Sequence, residues 1–338
     1  MTAPLRSWRR PDRRTLSDAT ARPLDVVTLG EAMLRFSVRP GDLIETAAAY
    51  DVHVAGAEAN VAFALARMGV RSGWISSLPP NPLGHRVATT LRSAGVDVDS
   101  VVWVEGRLGT YFVQLGDPPR PTVVTYDRSG STMALATPDQ FDWSVLDRAR
   151  HLHLTGITFA VSERAREVAS VAVVEAHRRG CTVSLDVNHR ARMWSAAQAA
   201  RTLEALAGTV DLVMCKGQDA RDVFDATGSP QDVAEQLGAR FQAPAVACTW
   251  GADPATLLMG SEWFECPSHK VEIIDRIGAG DAFAAGLLWG LVDNALPLGL
   301  RRGVAMAALS MTVRGDLLDL PRSAVESLLE ASGRDVDR

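Results

Sequence analysis

The strongest chemical signal in the sequence is the segment Gly278-Ala279-Gly280-Asp281, which leads into an apolar helical stretch. Small residues at a helix start let successive backbone N–H groups point outward, and the helix dipole adds positive potential there. Such a cup suits an anion, for example a transferring phosphoryl group. The Asp281 carboxylate could accept the proton of an attacking hydroxyl while the amides hold the developing charge. A carboxylate that merely caps the helix is the alternative that this segment leaves open.

A second segment, Ala55-Gly56-Ala57-Glu58-Ala59-Asn60, precedes the first long helical pattern. Gly56 permits close approach of a ligand to the backbone, because it has no Cβ atom. Asn60 can both donate and accept hydrogen bonds to sugar hydroxyls. The presence of both segments favours phosphoryl transfer to a hydroxylated substrate over simple helix capping.

The elements that would position these residues alternate along the chain. Apolar, strand-like runs occur at 25–30, 72–78, 100–105, 151–154, 181–185, 210–214 and 245–249. Helical periodicity covers 57–68, 84–94, 163–179, 196–206, 230–240, 279–291, 298–313 and 322–330. Strands that alternate with helices of ten or more residues predict a parallel sheet with helices on both faces.

Two stretches, at about 34–54 and 109–127, break this alternation because their strand-like pieces have no helices between them. Such strands cannot join a parallel sheet through right-handed helical crossovers. They predict a small antiparallel flap over one end of the sheet. Ligands in open α/β sheets bind beyond the carboxyl ends of the strands, so this flap would act as a lid.

From about Asp25 to Glu330 the chain resembles the ribokinase-like (PfkB) family of carbohydrate kinases. The family has a glycine pair followed by asparagine near its start and D-x-x-G-A-G-D near its end. Both patterns are present, except that Ala55 replaces the first glycine. The resemblance implies a three-layer α/β/α sandwich with a mostly parallel central sheet and a small β-sheet lid. It also implies that Asp281 is the catalytic base and that an anion hole is formed by the amides of Gly278, Ala279 and Gly280.

A narrower resemblance is to the 2-keto-3-deoxygluconate kinases of that family. It rests on three segments and a Met193-Trp194 pair: 30–33 (GEAM), 153–157 (HLTGI) and 185–190 (LDVNHR). The implied substrate-binding residues are Gly56, Ala57, Asn60, Tyr111, Tyr126, Arg128, Arg190 and Asp281. The planar guanidinium of Arg190 can donate two parallel hydrogen bonds to a sugar carboxylate, and Arg128 could bind the same carboxylate. The tyrosines offer hydroxyls and apolar ring faces.

The resemblance further implies ATP and Mg²⁺ as cofactors, but the nucleotide side departs from the family pattern. The implied nucleotide-binding residues are Asn188, Gln218, Thr249, Gly251, Gly278 and Gly280. Gln218 stands where the family's N-x-x-E motif has a carboxylate, and Mg²⁺ prefers charged oxygen. Asp219 or Asp222 could substitute for it, so the metal ligands stay undetermined. Pro254 replaces the second glycine of a G-x-x-G turn and removes an amide donor. These changes point to altered nucleotide or metal affinity more readily than to lost chemistry.

Composition bounds the remaining possibilities. The chain has 338 residues, 47% of them hydrophobic, and this length and apolar content suit one large domain. Its net charge is −5. Only Lys216 and Lys270 are lysines, and neither belongs to a GxxxxGK[ST] phosphate loop. Four cysteines without a CxxC pair argue against zinc and for a cytoplasmic protein. We expect a disordered basic tail at 1–22, a kinase domain at 23–332 and a tail at 333–338, without membrane or nucleic-acid partners.

The favoured interpretation is an ATP-dependent kinase that phosphorylates a primary hydroxyl of a sugar acid, with 2-keto-3-deoxygluconate as first candidate. One alternative is a kinase of a neutral ketose, pentose or nucleoside. Another is a sugar-binding relative that has lost phosphoryl transfer, which Gln218 and Pro254 suggest. A nicotinamide-dependent dehydrogenase is excluded because segment 30–33 has one glycine where GxGxxG needs three. By resemblance, a homodimer formed through the lid is expected.

Overall fold

The computed structural model describes residues 23–116 and 119–334; the predicted tail at 1–22 lies outside them. The strands are β1 (Leu24–Leu29), β2 (Met33–Ser37), β3 (Asp51–Ala55), β4 (Ser72–Leu78), β5 (Val101–Trp103), β6 (Gly109–Gln114), β7 (Val123–Asp127), β8 (Ala149–Thr155), β9 (Thr182–Asp186), β10 (Leu212–Lys216), β11 (Ala245–Trp250), β12 (Asp253–Met259) and β13 (Glu262–Cys266). The helices are α1 (Ala57–Arg67), α2 (Pro82–Ser93), α3 (Thr132–Leu135), α4 (Gly156–Val161), α5 (Glu163–Arg178), α6 (Ala196–Glu204), α7 (Gly217–Phe224), α8 (Pro230–Phe241), α9 (Ala279–Val292), α10 (Leu296–Ser310) and α11 (Arg322–Arg334).

The main sheet has nine strands in the order β13-β12-β11-β10-β9-β8-β1-β4-β5. All neighbours from β11 to β5 pair in parallel, because helical connections return the chain to the same edge of the sheet. β12 and β13 extend the sheet as antiparallel strands beside β11. The prediction of a mostly parallel central sheet is therefore confirmed.

Helices cover both faces of the main sheet and make a large core on each of them. Apolar side chains of α1, α9, α10 and α11 pack on one face, where Leu65, Leu287 and Val325 are buried. On the other face α5 to α8 pack with residues such as Val168 and Phe241. Both faces of each central strand are thus removed from water, which explains why these strands are continuous apolar runs. The three-layer α/β/α sandwich is confirmed.

The two stretches that break the alternation form a separate four-stranded sheet in the order β3-β2-β6-β7. The predicted antiparallel pairing is correct for β2 with β3 and for β6 with β7. It is wrong for β2 and β6, which pair in parallel. The chain leaves the lid after β3, passes through β4 and β5 of the main sheet and then re-enters, so β6 can run in the direction of β2. Stacking of Phe36 on Phe112, with ring centroids 5.3 Å apart, joins the two halves.

The lid packs onto the loop that precedes α9. Met33, Ala55, Tyr111 and Val113 form a small buried cluster on the lid, and Ile277 of that loop packs against it. This contact brings the lid next to the predicted anion cup. Within residues 23–116 and 119–334, no helix combines the length and apolarity that crossing a membrane requires.

Candidate active site

A cleft of about 500 Å³ lies between the carboxyl ends of β9 to β11, the start of α9 and the lid. This is the position that the open α/β architecture predicts for a ligand. Most residues predicted for the site line it: Gly56, Ala57, Asn60, Tyr111, Tyr126, Arg128, Asn188, Arg190, Thr249, Gly278, Gly280 and Asp281. Three do not, and these are Gln218, Gly251 and Ala279.

Asp281 lies on the first turn of α9, and its carboxylate is almost completely buried. The side-chain amide of Asn60 donates to its Oδ2 over 2.7 Å. Burial raises the pKa of Asp281 to about 6, while the Asn60 hydrogen bond and the charge of Arg190 act to lower it. A carboxylate with this pKa is ionised at neutral pH and is a stronger proton acceptor than an exposed aspartate.

The loop before Asp281 has the shape of an anion cup. Gly278 has φ +90°, and a Cβ atom there would lie 2.5 Å from the backbone oxygen of Asp316, so only glycine is accommodated. Space beside Gly280 is open, since a Cβ there would meet no atom within 4 Å. Among the described residues, the N–H groups of Gly278, Gly280 and Asp281 have no acceptor. The Ala279 N–H instead points to the Arg276 carbonyl at 3.4 Å.

The start of α1 supplies the opposite wall of the cleft. Gly56 has φ +153°, and a Cβ atom there would lie 2.3 Å from the backbone oxygen of Glu31. Asn60 is buried, and its Oδ1 has no hydrogen-bond partner in the part of the chain that the structure describes, although its Nδ2 is bonded to Asp281. A buried acceptor without a donor is costly in a folded protein. A ligand hydroxyl in the cleft could satisfy it.

Two stacked tyrosines form the lid side of the cleft. The rings of Tyr111 and Tyr126 lie 5.4 Å apart and nearly parallel. Tyr111 is buried, and its hydroxyl donates to Asp316 Oδ2 over 2.5 Å. Tyr126 is 45% exposed. The Tyr111 hydroxyl is therefore already engaged by the protein, and the outer ring of Tyr126 is the surface available to a ligand.

The two predicted carboxylate-binding arginines differ in their partners. Arg128 donates to Glu31 Oε2 through Nε at 2.8 Å and also through a terminal nitrogen, and Glu31 additionally accepts a bond from Ser131. Arg190, in contrast, has no carboxylate partner among the described residues, and its only hydrogen bond there is a 3.4 Å contact to the His189 carbonyl. The charge of Arg128 is balanced by Glu31, so of these two arginines Arg190 is the one available to an anionic ligand. Arg192 and Arg276 also line the cleft.

On the nucleotide side, Gln218 does not line the cleft and donates to Asp222 over 2.7 Å. Asp219, a suggested substitute, accepts the backbone N–H of His189. Gly251 has φ +72° and belongs to the turn that joins β11 to β12. None of these three positions lines the cleft.

Two residues that the sequence analysis did not place in the site also line this part of the cleft: Asp186 and Lys216. Desolvation, together with the negative charge of Asp281, raises the pKa of Asp186 to about 7, and Lys216 and Arg190 oppose that shift. Both residues end strands of the parallel sheet, which is the signal that could have identified them. Lys216 forms no salt bridge with any described residue and adds a free cation to the site.

The side chains that line the cleft suit a magnesium ion that binds together with a nucleotide. The part of the chain described contains no group of three or more histidine, cysteine or acidic side chains that could form a metal cage. Mg²⁺ commonly binds through one or two carboxylates together with phosphate oxygens and water. Asp186 is a carboxylate in the cleft that could contribute in this way, in place of Gln218.

Comparison with known proteins matches residues 24–322 to the model of the pfkB family carbohydrate kinase. The 2-dehydro-3-deoxygalactonokinase of Haloferax volcanii is 36% identical over 93% of this chain and 99% of its own. The 2-dehydro-3-deoxygluconokinase of Bacillus subtilis is 32% identical over 91% and 96%. The crystal structure of 2-dehydro-3-deoxygluconokinase from Thermotoga maritima superposes with a TM-score of 0.85 at 32% identity, covering 91% and 98%. The cup, the buried carboxylate and these similarities lead to one conclusion: the chain belongs to the pfkB family of carbohydrate kinases and is a sugar kinase.

Proposed function

We propose that the protein transfers the γ-phosphoryl group of ATP to a primary hydroxyl of a 2-keto-3-deoxy sugar acid, with 2-keto-3-deoxygluconate as first candidate. The observation that carries this proposal is Arg190, a cation in the cleft that has no carboxylate partner within residues 23–116 and 119–334. An arginine fork pairs strongly with a planar carboxylate. The names of the relatives support the same substrate class, since they include both the gluconate and the galactonate forms.

In this mechanism the sugar lies between Asn60, Tyr126 and Arg190. The orphan Oδ1 of Asn60 accepts a sugar hydroxyl, and the exposed ring of Tyr126 covers an apolar face of the substrate. Arg190 holds the carboxylate end. With that end fixed, the primary hydroxyl at the other end of the acid is directed towards Asp281, which reduces the entropy lost in reaching the reactive arrangement.

Asp281 then removes the proton of that hydroxyl as the oxygen attacks phosphorus. Its raised pKa makes the transfer more favourable than it would be to an exposed carboxylate. The free N–H groups of Gly278 and Gly280 stabilise the charge on the transferring group. Mg²⁺, when bound with the nucleotide, neutralises charge on the phosphate oxygens.

The nucleotide would lie over the carboxyl ends of β9 to β11. Asn188 and Thr249 line this region, and Lys216 directs a free positive charge into it. Neutralising the phosphate chain is the main requirement for phosphoryl transfer. Lys216 thus supplies positive charge on the nucleotide side of the cleft, whereas Gln218 is uncharged.

An assay of ADP release tests the proposal. The panel contains 2-keto-3-deoxygluconate, 2-keto-3-deoxygalactonate, fructose, ribose and adenosine, each with and without Mg²⁺. We expect the highest kcat/KM for the two acids. Preference for a neutral sugar would indicate the alternative kinase, and absence of ADP release with all of them would indicate a binding protein.

The variant Arg190→Ala links the panel to the site. We expect kcat/KM for the acids to fall by about 10- to 100-fold, because a charge-assisted hydrogen bond contributes about 1.5–3 kcal/mol. Turnover of neutral sugars should change little when it is measured at a pH well above the Asp281 pKa of about 6, which the charge of Arg190 helps to lower. Arg178→Ala, which removes an arginine paired with Glu175 on the surface of α5, is the matched control. Equal losses for acids and neutral sugars would contradict carboxylate recognition by Arg190.

A homodimer formed through the lid remains part of the proposal. β7 is an edge strand of the lid sheet, and Val123 on it is 40% exposed. Proteins tend to cover such edges.

A further inference from the structure

A buried arginine in the lid joins two carboxylates from the far end of the chain. Arg35, on β2, is 1% exposed. Its Nη2 donates to Asp275 Oδ2 over 2.5 Å and its Nη1 to Asp316 Oδ1 over 2.7 Å. Its Nε donates to Ser37. Every nitrogen of the guanidinium is therefore used inside the protein, and none is directed at a ligand.

The first of these carboxylates shapes the loop that leads to the anion cup. Asp275 Oδ1 accepts the N–H of Ile277 over 3.1 Å, and Oδ2 accepts the N–H of Gly315 over 3.3 Å. Ile277 directly precedes Gly278, the first residue of the cup. The contact between Arg35 and Asp275 thus fixes the backbone from which the cup begins.

The second of these residues, Asp316, packs against Gly278, the first residue of the cup. The backbone oxygen of Asp316 occupies the place next to Gly278 where a side chain would otherwise lie. The same residue accepts the hydroxyl of Tyr111, which belongs to β6 and lines the cleft. A continuous set of contacts therefore runs from the lid through Asp316 to the cup.

Stability alone does not explain this arrangement. A buried ion pair gains little net stability, because desolvation offsets the attraction between the charges. Two buried carboxylates beside a phosphate site would also repel an incoming anion if no cation balanced them. Arg35 supplies that balance and at the same time connects the lid to the cup.

We propose that Arg35 is a positioning residue that couples the sugar side of the cleft to the phosphate side, so that each ligand strengthens binding of the other. This inference rests on the proposed function. A sugar that packs on the stacked tyrosines holds the lid, and the lid holds Asp275 and Asp316 through Arg35 and Tyr111. The cup is then already ordered when the phosphate chain arrives. Coupling between two binding sites is reciprocal by thermodynamic necessity.

Calorimetric titration measures this coupling directly. The dissociation constant of a non-hydrolysable ATP analogue is determined with and without saturating 2-keto-3-deoxygluconate, or with the sugar that the ADP-release panel identifies. In the wild type we expect the sugar to tighten nucleotide binding at least fivefold, a usual size for such coupling. The coupling ratio is the dissociation constant of the analogue without sugar divided by that with sugar. In Arg35→Met this ratio should fall to about one, and kcat should decrease by a larger factor than the affinity for the sugar alone.

Arg302→Met is the matched control. Arg302 is also a buried arginine; it pairs with Asp293 and lies over the ring of Trp289, away from the cleft. Its loss should lower thermal stability and leave the coupling ratio unchanged. If Arg35→Met does not fold, Tyr111→Phe removes only the hydroxyl bonded to Asp316, and the ratio should still decrease.

The outcomes separate this inference from the proposed function. A wild-type ratio near one, or an unchanged ratio in a folded Arg35→Met or Tyr111→Phe protein, would overturn the coupling while leaving the kinase assignment intact. Failure of every sugar in the panel would instead remove the proposed substrate class.

Discussion

Asn60 and Asp281, 221 residues apart in the chain, are joined by a 2.7 Å hydrogen bond from Nδ2 to Oδ2. The bond places the first turn of α1 against the first turn of α9 at the centre of the cleft. It also sets the direction of the Asn60 amide, because Nδ2 is bonded to Asp281 and Oδ1 has no partner among the residues described. One side chain thereby supports the proposed base and offers an acceptor to the sugar.

Asp281→Asn should remove turnover and preserve sugar binding. The amide has nearly the shape of the carboxylate but cannot take up the proton of the attacking hydroxyl. We expect kcat to decrease by 100-fold or more, the usual contribution of a positioned base. Calorimetric affinity for the sugar acid should stay within a few fold. Near-normal turnover in this variant would contradict the assignment of Asp281 as the base.

The acid limb of the pH–activity profile should report Asp281. The pKa of about 6 for Asp281, with the pKa of about 7 for Asp186 in the same cleft, predicts that kcat/KM increases as pH rises through about 6 to 7 and then levels off, because only the ionised Asp281 carboxylate accepts a proton. Asn60→Leu removes a hydrogen bond that lowers this pKa, so the limb should move to higher pH. Asn81→Ala removes an asparagine that caps α2 instead, and should lower stability without moving the limb. An unmoved limb in Asn60→Leu would exclude Asp281 as the titrating group.

Lys216→Met should weaken nucleotide binding. The free ammonium at the end of β10 lines the cleft, so its loss should raise the KM for ATP by about tenfold, the size of one charge-assisted contact. The KM for sugar should be nearly unchanged. Binding of metal-free ATP should weaken as well, which separates a direct phosphate contact from an effect through Mg²⁺. Lys270→Met, at the only other lysine, is the control. Equal KM values for ATP in both variants would contradict a role for Lys216.

Most of the fold could be predicted because its signals are local. The strand at 72–78 was predicted with its exact bounds, and the helix at 279–291 ends one residue later in the structure. The short helices α4 and α7 were missed, since both begin with a glycine directly after a strand and are too short to show periodicity. β12 and β13 were missed because they continue the sheet as a hairpin rather than through a helix.

The last helix also extends to Arg334, beyond the expected 322–330, and so enters the segment predicted as a C-terminal tail. Fraying and weak end signals make such boundaries the least predictable part of an element.

The sequence by itself determined the alternation of strands and helices, the lid segments and the Gly-Ala-Gly-Asp cup, because each depends on residues close together in the chain. Only the tertiary structure decided that Arg128 is neutralised by Glu31 while Arg190 has no carboxylate partner among the described residues, and that Gln218 lies outside the lining of the cleft. It alone brought Arg35 between Asp275 and Asp316. The physical reason is that the partner of a buried charge is selected by packing between distant segments, which no local pattern of residues encodes.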